Sequence, residues 1–244
     1  MLASFHRYYL HQRFFPDLFS IVINPFYFSR KALLKHIKSF SKELSGKLLD
    51  FGCGSKPYRS LFSNVSEYIG IDVDNGESHN HENENIDIFY DGETIPFENE
   101  VFDSILASEV LEHVPDIDKI LSELYRVLKK GGKILVTVPF VWPEHEMPYD
   151  FRRFTCIGFE KLLTDKNFQI ISKTKSGSFL EALFQMCIMY LHSLLYTKNK
   201  YLNMLINAIF IFPVCITGIV LTKILPKRDN FYLNSVIVAE KINL

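Results

Sequence analysis

The sequence predicts an α/β fold built on an open, doubly wound, mostly parallel sheet with helical additions. Three observations predict it. Apolar strand-like runs alternate with segments of helical spacing, which requires crossover connections and so parallel pairing. One strand runs into a glycine turn, Asp50-Phe51-Gly52-Cys53-Gly54, and the next ends in Asp72. Gly52, Asp72, Ser108 and Pro139 all fall at strand ends, where an open α/β sheet keeps its ligand crevice.

Pro25 suits a first helical turn, and Leu33, Leu34, Ile37, Phe40 and Leu44 recur at helical spacing until Gly46. The first strand is Lys47 to Phe51, with a short helix after Pro57 and a second strand, Tyr68 to Asp72. Asn75 to Asn85 reads as a polar loop, with His79 and His81 as bare surface. Further strands are Ile86 to Tyr90, Ser104 to Ala107, Lys133 to Val138, Phe168 to Thr174 and Tyr232 to Lys241. An amphipathic helix is expected over Ile117 to Leu128, with Lys129-Lys130-Gly131-Gly132 as its end and glycine stop, and another over Thr155 to Asn167.

At 244 residues the chain sits at the upper end for one α/β domain with additions. We expect an N-terminal helical extension over 1–45, a catalytic domain over 46–178 and 227–244, and a hydrophobic helical insertion over 179–226. A formal net charge of −1 gives no electrostatic basis for nucleic-acid binding. Cys53, Cys156, Cys187 and Cys215 lack paired spacing, which speaks against a zinc site or disulfide framework and for the cytoplasm. No metal is assigned. Charges interrupt every apolar run in residues 1–30, so this stretch reads as a packing or lid helix, or an amphipathic surface piece, and not as a cleaved leader.

The glycine turn carries the chemistry. Gly52 and Gly54 let the backbone bend sharply and approach a ligand, and Asp72, about 20 residues on, can accept from both hydroxyls of a ribose. Asp50 would repel a pyrophosphate, and the third glycine of the dinucleotide fingerprint is missing. A ribose-bearing ligand without phosphate, carrying an ammonium and a sulfonium, fits: S-adenosylmethionine.

From Leu48 to Phe140, and more loosely to Glu240, the chain resembles the class I S-adenosylmethionine-dependent methyltransferases, in the type 11-like group with an Asp-x-Gly-x-Gly turn and a later Leu111-Glu112-His113-Val114 segment. The resemblance implies a Rossmann-like sheet whose last strand inserts antiparallel beside the sixth. It also implies that Asp50, Gly52, Cys53 and Gly54 hold the cofactor with Asp72 and Val73. Asp91 and Gly92 then lie against the adenine, with Ser108 and Glu109 completing the pocket.

Methyl transfer needs a base only when the acceptor is a hydroxyl or an ammonium. His113 and His145 are the candidates. Glu109, Glu112 and His113 stand at i, i+3 and i+4 and would share one face of a helix after the fourth strand. Three roles compete: His145 or His113 as general base, a magnesium or manganese site, or Glu112 and His113 merely orienting the helix start and the cofactor's methionine end. The segment His145-Glu146-Met147-Pro148-Tyr149-Asp150-Phe151-Arg152-Arg153-Phe154-Thr155 resembles bacterial glycan-associated methyltransferases, implying acceptor contacts by Tyr149, Asp150, Arg152 and Arg153; alternatively Asp150 and Arg152 pair to hold the loop. The reading is O-methylation of a glycan or lipid-linked sugar precursor. A quinone or small-molecule methyltransferase with a divalent metal, or a non-catalytic membrane-associated binding scaffold with the same fold, is the alternative.

Phe179 to Leu225 replaces what is a short connection in the family. It holds two apolar segments, Phe179 to Tyr196 and Met204 to Leu225, the second long enough to span a bilayer. A single crossing would strand the last sheet strand, so the segment crosses an even number of times or not at all, and Pro213 and Gly218 suggest a kink or hairpin. Besides a two-span anchor, two outcomes are expected. Either a hairpin makes peripheral contact with the inner face of the cytoplasmic membrane, or a cap packs on the protein, with a second copy of the chain as a further partner.

Overall fold

The computed structural model describes residue 8 and residues 10–73 and 85–242. The polar loop carrying His79 and His81 lies outside the described residues except at its last position. Seven strands form one sheet: β1 Gly46–Phe51, β2 Val65–Val73, β3 Ile88–Tyr90, β4 Phe102–Ser108, β5 Leu128–Pro139, β6 Phe168–Ser176 and β7 Asn234–Lys241. Their order is β3-β2-β1-β4-β5-β7-β6. β1 pairs in parallel with β2 and β4, β2 with β3, and β4 with β5. Winding therefore reverses between β1 and β4, and the crevice beyond their carboxyl ends is the ligand position for such a sheet. The last strand inserts between β5 and β6, in a sheet that is mostly parallel with an antiparallel pair. The expected doubly wound methyltransferase architecture is thus the observed one.

The central strands are apolar throughout because they are covered on both faces: Leu48, Leu49, Ile105, Leu106, Ile134 and Leu135 are all buried. The helix Ile117–Val127 starts where Asp116 accepts from the Lys119 amide, and it buries Ile117, Ile120, Leu121, Leu124 and Val127 at helical spacing. Thr155 caps the helix Cys156–Asp165 in the same way through the Gly158 amide. The start of β5 differs in kind. Lys129 to Gly132, expected as a helix end and glycine stop, already belongs to β5, because the helix stops at Val127 and the register shifts between the Leu128 and Lys133 pairings.

The chain divides into two compact units: Met1–His36 with Val141–Pro143 and Lys175–Asn234, and Ile37–Phe140 with Glu144–Thr174 and Ser235–Leu244. The second holds most of the sheet. In the first, the helix Phe179–Leu195 opens with a reciprocal cap between Ser178 and Glu181. A second rod comprises Lys200–Ile206, a π-helical turn over Asn207–Ile211 and the helix Phe212–Ile224. Pro213 sits in the first turn of that helix, where no amide is needed, and the irregularity is a π turn ahead of it. Ile21, Tyr27, Phe28, Ala182, Ile188 and Cys215 make this unit's core. Its buried polar groups are committed. Gln185 donates to the Pro25 carbonyl and accepts from the Ser29 amide, serving an open end of the helix Tyr27–Phe40, while Asn207 accepts from the Tyr196 hydroxyl.

Candidate active site

The turn after β1 is fixed from below. The Gly52 and Cys53 amides both donate to the Ile71 carbonyl, and the Gly54 amide donates to Asp72 Oδ2 at 2.8 Å. Asp72 Oδ1 accepts from the Val73 amide. Gly52 has φ +66°, and a β-carbon there would meet Val110 Cγ2 at 2.1 Å. Gly52→Ala should therefore cost at least about 2 kcal/mol, read as a lowered denaturant midpoint. Gly54 has φ +47° and no described residue within 4 Å of an added β-carbon, so among the described residues the space beside Asp72 is open. Gly92 lies against Val73, its added β-carbon 3.3 Å from Val73 Cγ1, while Asp91 Oδ1 accepts from the Glu93 and Thr94 amides. Val73, Asp91 and Gly92 are thereby brought to one side of the turn.

Asp50 does not behave as expected. Its side chain is buried, and Tyr68 donates to its Oδ2 at 2.6 Å. Burial pushes its carboxyl up to about 7, with the Tyr68 hydrogen bond and Lys56 opposing and Asp72 and Asp87 adding to the rise. Near neutral pH it is far from a full negative charge directed at a ligand, so its repulsion of phosphate is weaker than the sequence suggested. Lys56, also buried, pairs with Asp87 at 2.5 Å, and Asp87 accepts from the Gly70 amide. A β-carbon on Gly70 would strike Lys56 Cε at 2.2 Å, so the glycine leaves room for the lysine stem. Cys53 is a buried filler whose thiol burial holds protonated.

At the end of β4, Ser108 shares a hydrogen bond with Thr137 Oγ1, which donates to Glu109 Oε1 and accepts from the Glu109 amide. Glu109 has φ +53°, and beyond it the chain forms a 3-10 turn, Leu111–His113, instead of a helix. The expected shared face of Glu109, Glu112 and His113 does not exist: Glu109 turns to Thr137, and Glu112 is fully buried. Burial, reinforced by Glu109, raises the Glu112 carboxyl well above the ordinary range, and among the described residues neither of its oxygens has a hydrogen-bond partner.

The loop before Thr155 packs on this turn. His113 Nδ1 lies 2.9 Å from the Tyr149 carbonyl and must be the donor, leaving Nε2 3.8 Å from Glu112 Oε1 and 3.7 Å from Glu146 Oε2. The His113 and His145 rings meet edge to face at 4.7 Å. His145 Nδ1 lies 3.2 Å from Asp150 Oδ2, which also accepts from the His145 amide. Asp150 has no side-chain exposure and receives both terminal nitrogens of Arg153, at 2.5 and 2.6 Å. Burial would raise the Asp150 carboxyl, but the Arg153 hydrogen bond and the His145 amide hold it down at about 2. His145 is lowered from its ordinary value, by burial and then by His113. Arg152, expected to pair with Asp150, instead donates to the Val114 and Pro115 carbonyls. The acid's partner is Arg153, and Tyr149 keeps an exposed ring.

Residues 49–136 match the family model of a methyltransferase domain. Over these residues the chain is similar to methyltransferase domains. The ubiquinone/menaquinone biosynthesis C-methyltransferase UbiE of Pseudoalteromonas translucida is 42% identical to this chain over 77 residues, 30% of either chain. The mitochondrial ubiquinone biosynthesis O-methyltransferase of Bos taurus is 31% identical over 154 residues, 56% of this chain and 41% of its own. The chain spans less than half the length of the curated relatives it matches. Phosphoethanolamine N-methyltransferase 2 of Haemonchus contortus, solved with S-adenosylmethionine, shares the fold at 17% identity and a TM-score of 0.54, covering 92% of this chain and 56% of its own. These are named for quinone and phosphoethanolamine chemistry and give the expected glycan-associated subgroup no support.

Three residues beside this site were not among the expected ones. Thr137 stands alone as a polar residue within the apolar β5 run, a usable signal. Lys56 and Asp87 carry no spacing that links them. His113, His145 and Glu112 offer potential ligand atoms within 4.8 Å of one another, whereas Glu109 is outside that set.

Proposed function

We propose that this chain is an S-adenosylmethionine-dependent methyltransferase acting on a hydroxyl of a lipophilic small molecule, a phenol of the quinone-precursor class, in the cytoplasm at the inner face of the cytoplasmic membrane. The observation that carries the chemistry is the His145–Asp150 pair at 3.2 Å. The cofactor fits the residues present: open space above Gly54 adjoins the Asp72 carboxylate, whose remaining lone pairs suit ribose hydroxyls. Backbone of Gly52 to Gly54 would flank its methionine end, and Asp91 with Gly92 its base.

Bound there, S-adenosylmethionine supplies an electrophilic methyl group on a sulfonium. Asp150 fixes the His145 ring with Nδ1 donating, so that Nε2 is the basic nitrogen. That nitrogen takes the acceptor proton, and Asp150 then stabilises the imidazolium. Removing a phenolic proton serves attack by oxygen or by the ring carbon, which accommodates the names of both quinone relatives. The turn and the histidines are linked through Val110, which packs against Gly52 two residues before Glu112.

A second reading has Glu112, His113 and His145 holding a divalent cation, favoured by two buried Glu112 oxygens that no described residue hydrogen-bonds. Asp72→Ala should abolish cofactor binding in calorimetry, and unchanged affinity would overturn the pocket assignment. Turnover of a phenolic quinone precursor over a polyprenol-linked sugar is expected. Loss of turnover on chelation, restored by magnesium, would favour the cation reading.

A further inference from the structure

We infer that the helices of the first unit dock on an anionic lipid surface and lie along it. A helix on a soluble protein normally turns polar residues outward. Here the reverse holds. Leu205, Ile209, Ile216, Val220 and Ile224 recur at steps of four and seven residues along the rod Tyr201–Ile224, and all are 38–70% exposed. The helix Phe179–Leu195 leaves Leu183, Tyr190 and Leu194 uncovered, at 44%, 65% and 60%. The opposite faces are occupied: Ile206, Asn207, Ile211, Cys215 and Gly218 on one helix and Ala182, Gln185 and Ile188 on the other are buried. Tyr201–Ile224 is long and apolar enough to cross a membrane, yet its buried stripe is spent on this unit's core. One face therefore remains for lipid, which is the geometry of an interfacial helix.

Charge selects the occupant. Between Glu181 and Asp229 the sequence has no acidic residue, while Lys198, Lys200, Lys223, Lys227 and Arg228 stand at the ends of the apolar stretch. Lys198, Lys223, Lys227 and Arg228 are exposed. A second copy of the chain would bring the same positive charges to this face with no acid to meet them, whereas anionic headgroups complement them. The lysine stems and Tyr190 suit the boundary between headgroups and acyl chains.

The test is co-sedimentation of the full chain, without cofactor or acceptor, so that it stands apart from the methyl-transfer reading. Vesicles of phosphatidylcholine alone are compared with vesicles containing phosphatidylglycerol. Binding is expected to the anionic vesicles, weakened by salt, and lowered at least about tenfold by Lys223→Glu/Lys227→Glu/Arg228→Glu. Leu205→Glu/Ile209→Glu should also release the protein, with an unchanged circular-dichroism spectrum and unchanged cofactor affinity. Equal binding to both vesicle types, or no binding together with a dimer in sedimentation velocity that Leu205→Glu/Ile209→Glu dissociates, would overturn the inference.

Discussion

His145→Ala is expected to lower kcat by roughly a hundred- to ten-thousand-fold, the usual contribution of a positioned general base, while leaving cofactor affinity unchanged. The ring is half-buried, oriented by a carboxylate without solvent exposure, and neutral to below the ordinary histidine value of 6.5. Rate should therefore rise with pH through a limb centred below that value and hold level above it. In the variant the limb should vanish, leaving a rate that follows ionisation of the acceptor itself. A pH–rate profile at saturating cofactor checks both points. A variant with near-native kcat and the same acid limb would move the base to another group.

Asp50→Asn should stabilise the protein, and only above acidic pH. An unfolded Asp50 ionises near 3.8, whereas the folded carboxyl keeps its proton to about 7. The folded state thus binds the extra proton across that window, and stability falls as pH rises through it. Asparagine keeps an acceptor for the Tyr68 hydroxyl but has no charge to desolvate. Variant and parent should match near pH 4 and diverge by up to about 4 kcal/mol at neutral pH, a rise in Tm on the order of 10 °C. Thermal melts at several pH values decide it. Parallel curves for the two proteins would mean that Asp50 is ionised and well solvated by its neighbours.

The cofactor turn was legible because its signal is steric: only glycine sits easily at the positive φ of Gly52 and Gly54, and an acid at the end of β2 has few other uses. Amphipathic spacing made the helix Ile117–Val127 equally plain. What failed was helical extrapolation over Glu109 to His113. Pro115 with a capping Asp116 after it marks a helix beginning later, and the residues before it form a connection whose path is set by Thr137 on β5. Likewise, spacing cannot tell that Asp150 will meet Arg153 and not Arg152, since both lie on one loop and the choice depends on which carbonyls Val114 and Pro115 present. The charge state of Asp50 depends on Tyr68, eighteen residues away, and on complete burial, neither of which a turn motif encodes.

Gln185 has a further consequence, for the order of events during synthesis. Its two hydrogen bonds reach back 160 residues to Pro25 and 156 to Ser29. Strands β1 to β5 have emerged and can pair well before Gln185 does, but Ile21, Tyr27 and Phe28 have no partner from Ala182, Ile188 or Cys215 until those residues have been made. Ile21, Tyr27 and Phe28 are therefore enclosed after strands β1 to β5 have paired, and the long loop they close makes this the slow step of folding. Pulse-labelled hydrogen exchange should find the β1 to β5 amides protected before the Ser29 amide.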